Sequence, residues 1–511
     1  MEKAVAVIDI GMTNKKIALY GTDLKPLELR KRSFIPRMVD GLETHDLEAM
    51  EAWFLQTLKE LRLSFDIGAI AVCAHGATFV CADSSGKPVL PCVYYTHEPG
   101  PEFQKRFYSL CGTPENLQAT TGTPDLSALI NPAKGLLFAK EIWPEAFAKA
   151  ELMLPLPQYW GMRLTGRAGL EGTYMGCHTY LYDWEKGAVS SVAQALGIGS
   201  KLPMPLRDSW EVLGKLSPRV AHETGLSPST PVTMGIHDSN ASFLPYRIKM
   251  GSGGFVVNST GTWCVLMRPA ERYGFEPDEL GKVVFFNRSA YNEPVKTAIF
   301  LGGREHELWS SLSARPAGAS SAATSPAVFS PSPALFASII AARDEFILPE
   351  IVPGSGQFPG SLARAVQASR SYPYSSITAG GPRPPFLDAA PDRAEAVLTL
   401  SLVLQTLVAL RRTGLKPGEK IFTEGGFRNN PAYNAILAAA LPDNPVLLTD
   451  MEEATSFGAA LTALAALEGA SPTELGSLFE IGGKAVEPMA GLDGFGAYAE
   501  AWLSLAGGEG A

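Results

Sequence analysis

The sequence predicts an α/β fold of two domains that share a phosphate clamp, and three observations carry that prediction. The chain has 511 residues, well beyond the roughly 250 to 300 residues at which one hydrophobic core stops growing, so two large domains are the natural division. Short β-prone runs alternate with helical stretches through the first half. Two turns built from Gly, Thr and Asn, one near the start and one near the middle, each lie between apolar runs of strand character.

In chain order, the runs 5–8 and 17–20 flank Gly11-Met12-Thr13-Asn14 and read as a hairpin whose loop presents backbone N–H groups and hydroxyls. Helical stretches at 48–61, 132–140 and 189–196 alternate with strands such as 69–72. The run 232–236 leads into Asp238 and a helix beginning near Ser239. Between Phe243 and Gly254 the pattern loosens into Pro245-Tyr246 and Gly251-Ser252-Gly253-Gly254. That sets a hinge at 243–254 between an N-terminal domain, 1–242, and a C-terminal domain, 255–490. The second domain opens with 255–257 and 264–267 around Ser259-Thr260-Gly261-Thr262-Trp263. Over 311–338 Ala, Ser and Pro dominate and periodicity is lost, the composition of a surface insertion or loop. Helices at 393–411, 431–440 and 454–467 and a strand at 420–423 follow, and 491–511 reads as a terminal helix with a fraying tail.

Composition excludes several classes. The net charge is −9 and no Lys/Arg cluster exceeds a few residues, so a nucleic-acid surface is not expected. The six cysteines are scattered without CxxC spacing, which argues against a zinc site or a disulfide framework. No long apolar segment opens the chain, and the longest apolar helical run, 400–410, contains Gln405 and is too short for a bilayer. A soluble, cytoplasmic protein is expected, with no membrane partner.

The turns point to chemistry. A polyphosphate held between two such loops has its charge spread over fixed donors, which is most of what phosphoryl transfer asks of a protein. Asp9, ending the first strand, is placed to orient Mg²⁺ through water, because magnesium keeps several of its own waters. One hairpin alone would be only a hairpin; the pair carries the signal. Neither GxxxxGK[ST] nor GxGxxG occurs, so a P-loop or Rossmann site is not supported. Asp238 either projects into a cleft as a general base or caps the helix that follows it. His237 and Asn240 face either a ligand or their own helix. Beyond the strand at 420–423, Gly425 and Gly426 would let a purine lie against bare backbone, and Asn430 either caps the helix at Pro431 or meets the nucleotide.

These motifs, in this order from about Val5 to about Leu467, resemble the FGGY carbohydrate kinases of the actin and sugar-kinase superfamily. Leu164-Thr165-Gly166 with Asp183, Val212-Leu213-Gly214 and Glu223-Thr224-Gly225-Leu226 match the family's N-terminal domain. The resemblance implies two actin-like (ribonuclease H-like) domains flanking a nucleotide and sugar cleft, with ATP and Mg²⁺ as cofactors. It implies a first phosphate motif of Asp9, Gly11, Thr13, Asn14 and Lys16, with Met12 where a Thr is common and Lys16 where an Arg is common. Thr260, Gly261 and Thr262 would form the second; Gly425, Gly426, Phe427 and Asn430 belong to the adenosine motif, and Asp238 to the base that accepts the sugar-hydroxyl proton. The stretches 237–242 and 259–263 are most similar to the deoxyketose branch, such as rhamnulose and fuculose kinases.

The acceptor side departs from the family pattern. His75, Gly76 and Thr78 stand where Gly-Gln-x-His is frequent, with His75 at the Gln position. Tyr94 and Tyr95, either core or cleft residues, precede His97 and Glu98, which occupy the region of a Trp-x-Asp-x-Arg sugar pattern that is absent here. His75, Gly76, Thr78, His97, Glu98, His237 and Asn240 are therefore the expected sugar contacts, and a ketose or deoxyketose such as a rhamnulose-, fuculose- or xylulose-like sugar the expected acceptor. A homodimer is left open. Other classes fit less well: a haloacid-dehalogenase-type phosphatase would need a second carboxylate at Gly11, a non-catalytic binding relative would lack Asp238, and an actin-like chaperone or filament would lack the Leu-Thr-Gly and Glu-Thr-Gly-Leu segments.

Overall fold

Two mixed seven-stranded sheets organise the chain, and each is built outward from one of the two hairpins. The computed structural model describes residues 1–313, 331–389, 391–451 and 453–507. In the first sheet Glu2–Ile10 pairs antiparallel with Asn14–Gly21, and that strand with Pro26–Ser33, while the other side of Glu2–Ile10 takes Phe65–Ala74 in parallel. A parallel partner needs a crossover, supplied by the helix Leu47–Leu61, whose start is capped by Asp46 accepting from Ala49 N at 3.0 Å. Both faces of Glu2–Ile10 are covered, so its apolar run is continuous rather than alternating. Phe54, Leu58 and Trp160 cover one face; Ala459, Ala463 and Leu464 cover the other.

The second sheet repeats the plan. Phe255–Thr260 pairs antiparallel with Cys264–Pro269 and in parallel with Lys420–Gly425, beside which Val446–Thr449 continues in parallel. The helix Pro391–Arg412 lies over it. At 22 residues it is twice as long as the apolar run read from sequence and passes a length-and-composition test for crossing a membrane, yet nearly all of that stretch is buried in the second domain's core. Its Gln405 is a core residue too, donating from Nε2 to Glu305 at 2.9 Å.

Three local expectations differ from the structure. The stretch 243–250 is helical, part of Asp238–Met250, with Phe243 and Tyr246 packed on Phe255 and Phe422; the break comes only at Gly251, φ 78°. Of 189–196 only Ser191–Ala195 is helical, because Ala188–Val189 pairs as a strand with Tyr182–Asp183. Residues 314–330 of the supposed insertion lie outside the described residues, but Pro333–Ala342 is a helix begun by Pro333 and capped by Ser332, which accepts from Leu335 N. The final 508–511 likewise lie outside the described residues.

The last long helix returns to the first sheet. Ala454–Glu468 packs against Val5, Val7, Ala69 and Ala71 and crosses Asp238–Met250 so closely that a Cβ on Gly458 would stand 1.7 Å from the Ala241 carbonyl oxygen. Pro245 accounts for the crossing. It has no N–H to bond the carbonyl four residues earlier, and the freed Ala241 oxygen meets the one side-chain-less position of the facing helix. The helix that carries Asp238 is thereby fixed against the helix that reaches the first hairpin.

Two interior carboxylates make stability pH-dependent. Glu305, 2 % exposed, accepts from Glu350 N and Gln405, and burial raises its pKa to about 7; burial does the same to Glu171, which also reaches about 7. The folded state then binds more protons than the unfolded chain above the ordinary Glu value, so this contribution is complete below that value and is lost as pH rises through the folded one. The thermal midpoint is expected to fall between about pH 5 and pH 8, and the slope to flatten in Glu305→Gln. An identical slope in that variant would remove Glu305 as a cause.

Candidate active site

The turn after Glu2–Ile10 is the first half of the expected clamp. Antiparallel register puts Asp9 opposite Lys16, and parallel register puts it beside Cys73. The Asp9 carboxylate is 4 % exposed; Ser456 Oγ donates to its Oδ2 at 2.6 Å, and Lys16 Nζ lies 3.8 Å from the same oxygen. Burial raises the Asp9 pKa against the pull of Lys16 and Ser456, and the Asp238 and Glu453 carboxylates add to the rise. Lys16 also ion-pairs with Glu453, which Lys31 reaches at 2.9 Å from the outside. Lys15 turns inward and donates to Met12 O at 2.8 Å, bracing the turn from beneath while Thr13 and Asn14 stay exposed.

The second half joins two motifs far apart in sequence. Thr260 and Gly425 are register partners in adjacent parallel strands, so the turn Gly261-Thr262 and the turn Gly425-Gly426 emerge side by side. Thr260 Oγ1 locks them together, donating to Glu424 O and accepting from Phe427 N at 2.9 Å. Gly425 has φ 77°, and a Cβ there would stand 2.2 Å from Thr260 O. The helix Gly302–Ser310 starts against the same turn: a Cβ on Gly303 would lie 2.0 Å from Gly261 O, and Arg304 N donates to Thr262 O at 3.3 Å. Its N-terminal N–H groups add the kind of donors that suit an anion beside Gly261 and Thr262, both exposed.

Beside the first turn stands Asp238, the first residue of its helix, which follows a strand paired next to that of Asp9, with 31 % of its side chain exposed. Its Oδ1 accepts from Ser239 N at 2.6 Å and Ser239 Oγ at 3.2 Å. Desolvation raises its pKa, while His75 and the Ser239 hydrogen bonds work against the rise. A wall of imidazoles surrounds it. His237 Nε2 is 3.4 Å from Asp238 Oδ1; His75 stacks toward His45 and Tyr95; His178 lies edge-on to His237. Burial lowers the pKa of His75 to about 4 and of His178 and His237 to about 3, so all three are neutral at pH 7. Gly76 lets the rings converge, since a Cβ there would stand 2.6 Å from His178 Nε2 and 2.8 Å from His237 Nε2. Behind them Glu171 holds the Thr173 hydroxyl at 2.8 Å, and Thr173 Oγ1 accepts from His237 N at 3.0 Å.

Comparison with known proteins decides the family. Residues 4–244 match the family model described as the FGGY family of carbohydrate kinases, N-terminal domain, and residues 252–472 the model described as Carbohydrate kinase FGGY, C-terminal domain. The chain belongs to the FGGY family of carbohydrate kinases. The crystal structure of a carbohydrate kinase from Novosphingobium aromaticivorans superposes with a TM-score of 0.79 at 27 % identity over 98 % of both chains. The xylulose kinase of Bacillus subtilis (strain 168) is 32 % identical over 152 residues, 30 % of each chain. The autoinducer-2 kinase of Yersinia enterocolitica is 24 % identical over 202 residues, 39 % of this chain and 36 % of that one. The matched stretches thus span about a third of the length of these curated relatives.

Within this FGGY kinase fold, the structure brings Asp9, Gly11, Thr13, Asn14 and Lys16 to one clamp half, and Thr260, Gly261, Thr262, Gly425, Gly426 and Phe427 to the other. Thr260 is a bracing residue rather than an open donor, because its hydroxyl is occupied by Glu424 O and Phe427 N. Asn430 caps its helix, accepting from Tyr433 N at 3.0 Å. Asp238 does not cap in the usual way: His237 is the N-cap position, and Asp238 accepts from the backbone of its immediate neighbour Ser239. His75, Gly76, His237 and Asn240 gather around Asp238, and Thr78 is held beneath them through Tyr174 Oη, which donates to Thr78 O at 2.8 Å. His97 and Glu98 are engaged elsewhere in the loop's own scaffold, His97 against the Phe138 ring and Glu98 accepting from Ala128 N at 2.9 Å.

Tyr95, left open between core and cleft, lies against the His75 ring, whereas sequence reasoning missed His45, the Cys177-His178 pair and the Gly302-Gly303 helix start. The last carried a readable signal, two glycines directly after an apolar strand. His45 and His178 lie in irregular segments, where no periodicity marks the facing side.

Proposed function

We propose that this chain transfers the γ-phosphoryl group of ATP to a hydroxyl of a neutral ketose or deoxyketose, with Asp238 as the general base. The observation that carries this reading is the placement of Asp238 at the start of its helix beside the Asp9 turn, near enough for its carboxylate to add to the rise of the Asp9 pKa, with one oxygen already accepting from Ser239. Ser239 occupies Oδ1, which assigns proton acceptance to Oδ2. The acceptor oxygen forms its bond to the γ-phosphorus, the bond from that phosphorus to the ADP oxygen breaks, and the hydroxyl proton passes to Asp238 Oδ2. The exposed turns at 11–14 and 261–262 supply fixed donors for the phosphates.

A Mg²⁺ ion fits the donor set at Asp9, an oxygen ligand whose anionic form the surrounding burial disfavours until a cation is near. Asp9 would hold it through water, and its charge would offset that of the phosphates. Asp238 and Asp9 keep separate roles, one facing the acceptor cavity and the other the phosphate turn.

The acceptor class follows from the imidazole wall. Neutral rings at pH 7 exchange hydrogen bonds with hydroxyls but offer no cation to the carboxylate of an acid sugar. The xylulose kinase among the relatives favours a ketose, and the rhamnulose- and fuculose-like similarity of 237–242 and 259–263 keeps deoxyketoses in the same class. In a panel of ketoses, deoxyketoses, glycerol and gluconate assayed for ATP consumption, the best ketose is expected to exceed glycerol and gluconate by at least about tenfold in kcat/KM. Comparable turnover of glycerol or gluconate would sink this choice of acceptor.

A further inference from the structure

We propose that Cys177, His178 and His237 form a binding site for a thiophilic divalent cation of the zinc class, distinct from the oxygen site at Asp9. Their donor atoms all lie within 4.8 Å of one another. One of the edges already has coordination dimensions. Cys177 Sγ is 3.5 Å from His237 Nε2, and ligands of a tetrahedral zinc with ordinary Zn–S and Zn–N lengths are about 3.6 Å apart. The fourth corner falls to water, since Asp238 Oδ1, 3.4 Å from His237 Nε2, already accepts from Ser239 N and Oγ. One thiol and two imidazoles select a borderline-soft cation over Mg²⁺.

The backbone is shaped for it. His178 has φ 36°, a left-handed conformation uncommon outside glycine, and this turns neighbouring side chains at 177 and 178 toward His237 instead of to opposite faces. Gly76 clears the ground over which both Nε2 atoms sit. Asn240 supplies the outer partner. It is 1 % exposed, its Oδ1 has no partner, and its amide lies 3.4 Å from His237 Nδ1. With the amide turned over, Oδ1 accepts from His237 Nδ1–H in exchange for the long 3.5 Å bond from Nδ2 to Thr173 O, which satisfies the orphaned oxygen and leaves the Nε2 lone pair for a metal. The sequence concealed the site because His237 lies sixty residues beyond Cys177 and its neighbour His178, with no CxxC pattern to mark the set.

Loading the site moves one proton: the Cys177 thiol gives up its hydrogen to solvent and binds as thiolate, with no change in oxidation state. Because His237 and Asp238 border the acceptor cavity, a cation held there and a sugar compete for the same space.

The test is a Co²⁺ titration of the chelator-stripped full-length protein, with neither sugar nor nucleotide present, so that it reads independently of the kinase reading. One equivalent should bind with the visible absorption of a tetrahedral site and a thiolate-to-cobalt charge-transfer band, both bleached by Zn²⁺. Cys177→Ser should lose the charge-transfer band, and His178→Gln should weaken binding at least about tenfold while keeping the band. Absence of the band in the parent at saturating Co²⁺, or its persistence in Cys177→Ser, overturns the proposal. Should Cys177→Ser fail to fold, unchanged affinity in His178→Gln does so as well.

Discussion

Asp238→Asn is expected to keep the parent's fold and its affinity for Mg·ATP and to lose at least about a hundredfold in kcat, within the range that general bases contribute. The amide is nearly isosteric and its oxygen can still accept from Ser239 N and Oγ, so the start of the helix Asp238–Met250 survives. What disappears is the second carboxylate oxygen, and with it the acceptor for the sugar proton. The pH profile separates this loss from a structural one. Asp238 must be ionised to act, and desolvation raises its pKa above the ordinary Asp value, so kcat of the parent should fall as pH drops through that raised value. The acid limb of the parent then reports Asp238 itself. In Asp238→Asn the residual rate should show no such limb. Retention of most of the activity with fold and nucleotide binding intact would make Asp238 a positioning residue and move the base elsewhere.

How much of this was legible in the sequence depends on whether the physics was local. Both hairpins could be read because a small-residue turn between two apolar runs is a short-range signal, and Glu2–Ile10, Asn14–Gly21, Phe255–Thr260 and Cys264–Pro269 form where expected. Asp238 could be found because it ends a strand-like run beside Gly235. Pro245 misled for a definite reason: inside a helix it normally costs about 3 kcal/mol, so a break is the better expectation, but here the carbonyl it frees is covered by Gly458 from a segment two hundred residues later. The same distance hid the return of Ala454–Glu468 to the first sheet. His97 and Glu98 follow a β-rich run, a pattern that suggests a cleft, whereas the rings packed around His75 and His237 are Tyr95 and the histidines at 45 and 178, whose placement rests on tertiary contacts alone.

Lys16→Ala should lower kcat about tenfold or more and raise KM for ATP while leaving sugar affinity, measured by calorimetry without nucleotide, nearly unchanged. In the parent Lys16 stands between Asp9 and Glu453, and its ammonium holds both carboxylates beside a turn that must receive a polyanion. Removing it leaves Asp9 buried with the Ser456 hydroxyl as its donor and no cation beside it, and leaves Glu453 tied to Lys31, which is half exposed. The local charge becomes more negative where phosphate must approach, so the penalty falls on nucleotide and transition state together. Lys16→Arg should recover much of the loss, since a guanidinium keeps the charge and can reach both acids. Thr262→Val removes a neutral donor on the opposite turn and should cost less than Lys16→Ala, whereas Thr260→Val unpins Glu424 and Phe427 and should also lower the thermal midpoint. Lys16→Ala turning over at the parent rate, with unchanged KM for ATP, would reduce the ion pair to a tie between the first hairpin and the helix Ala454–Glu468.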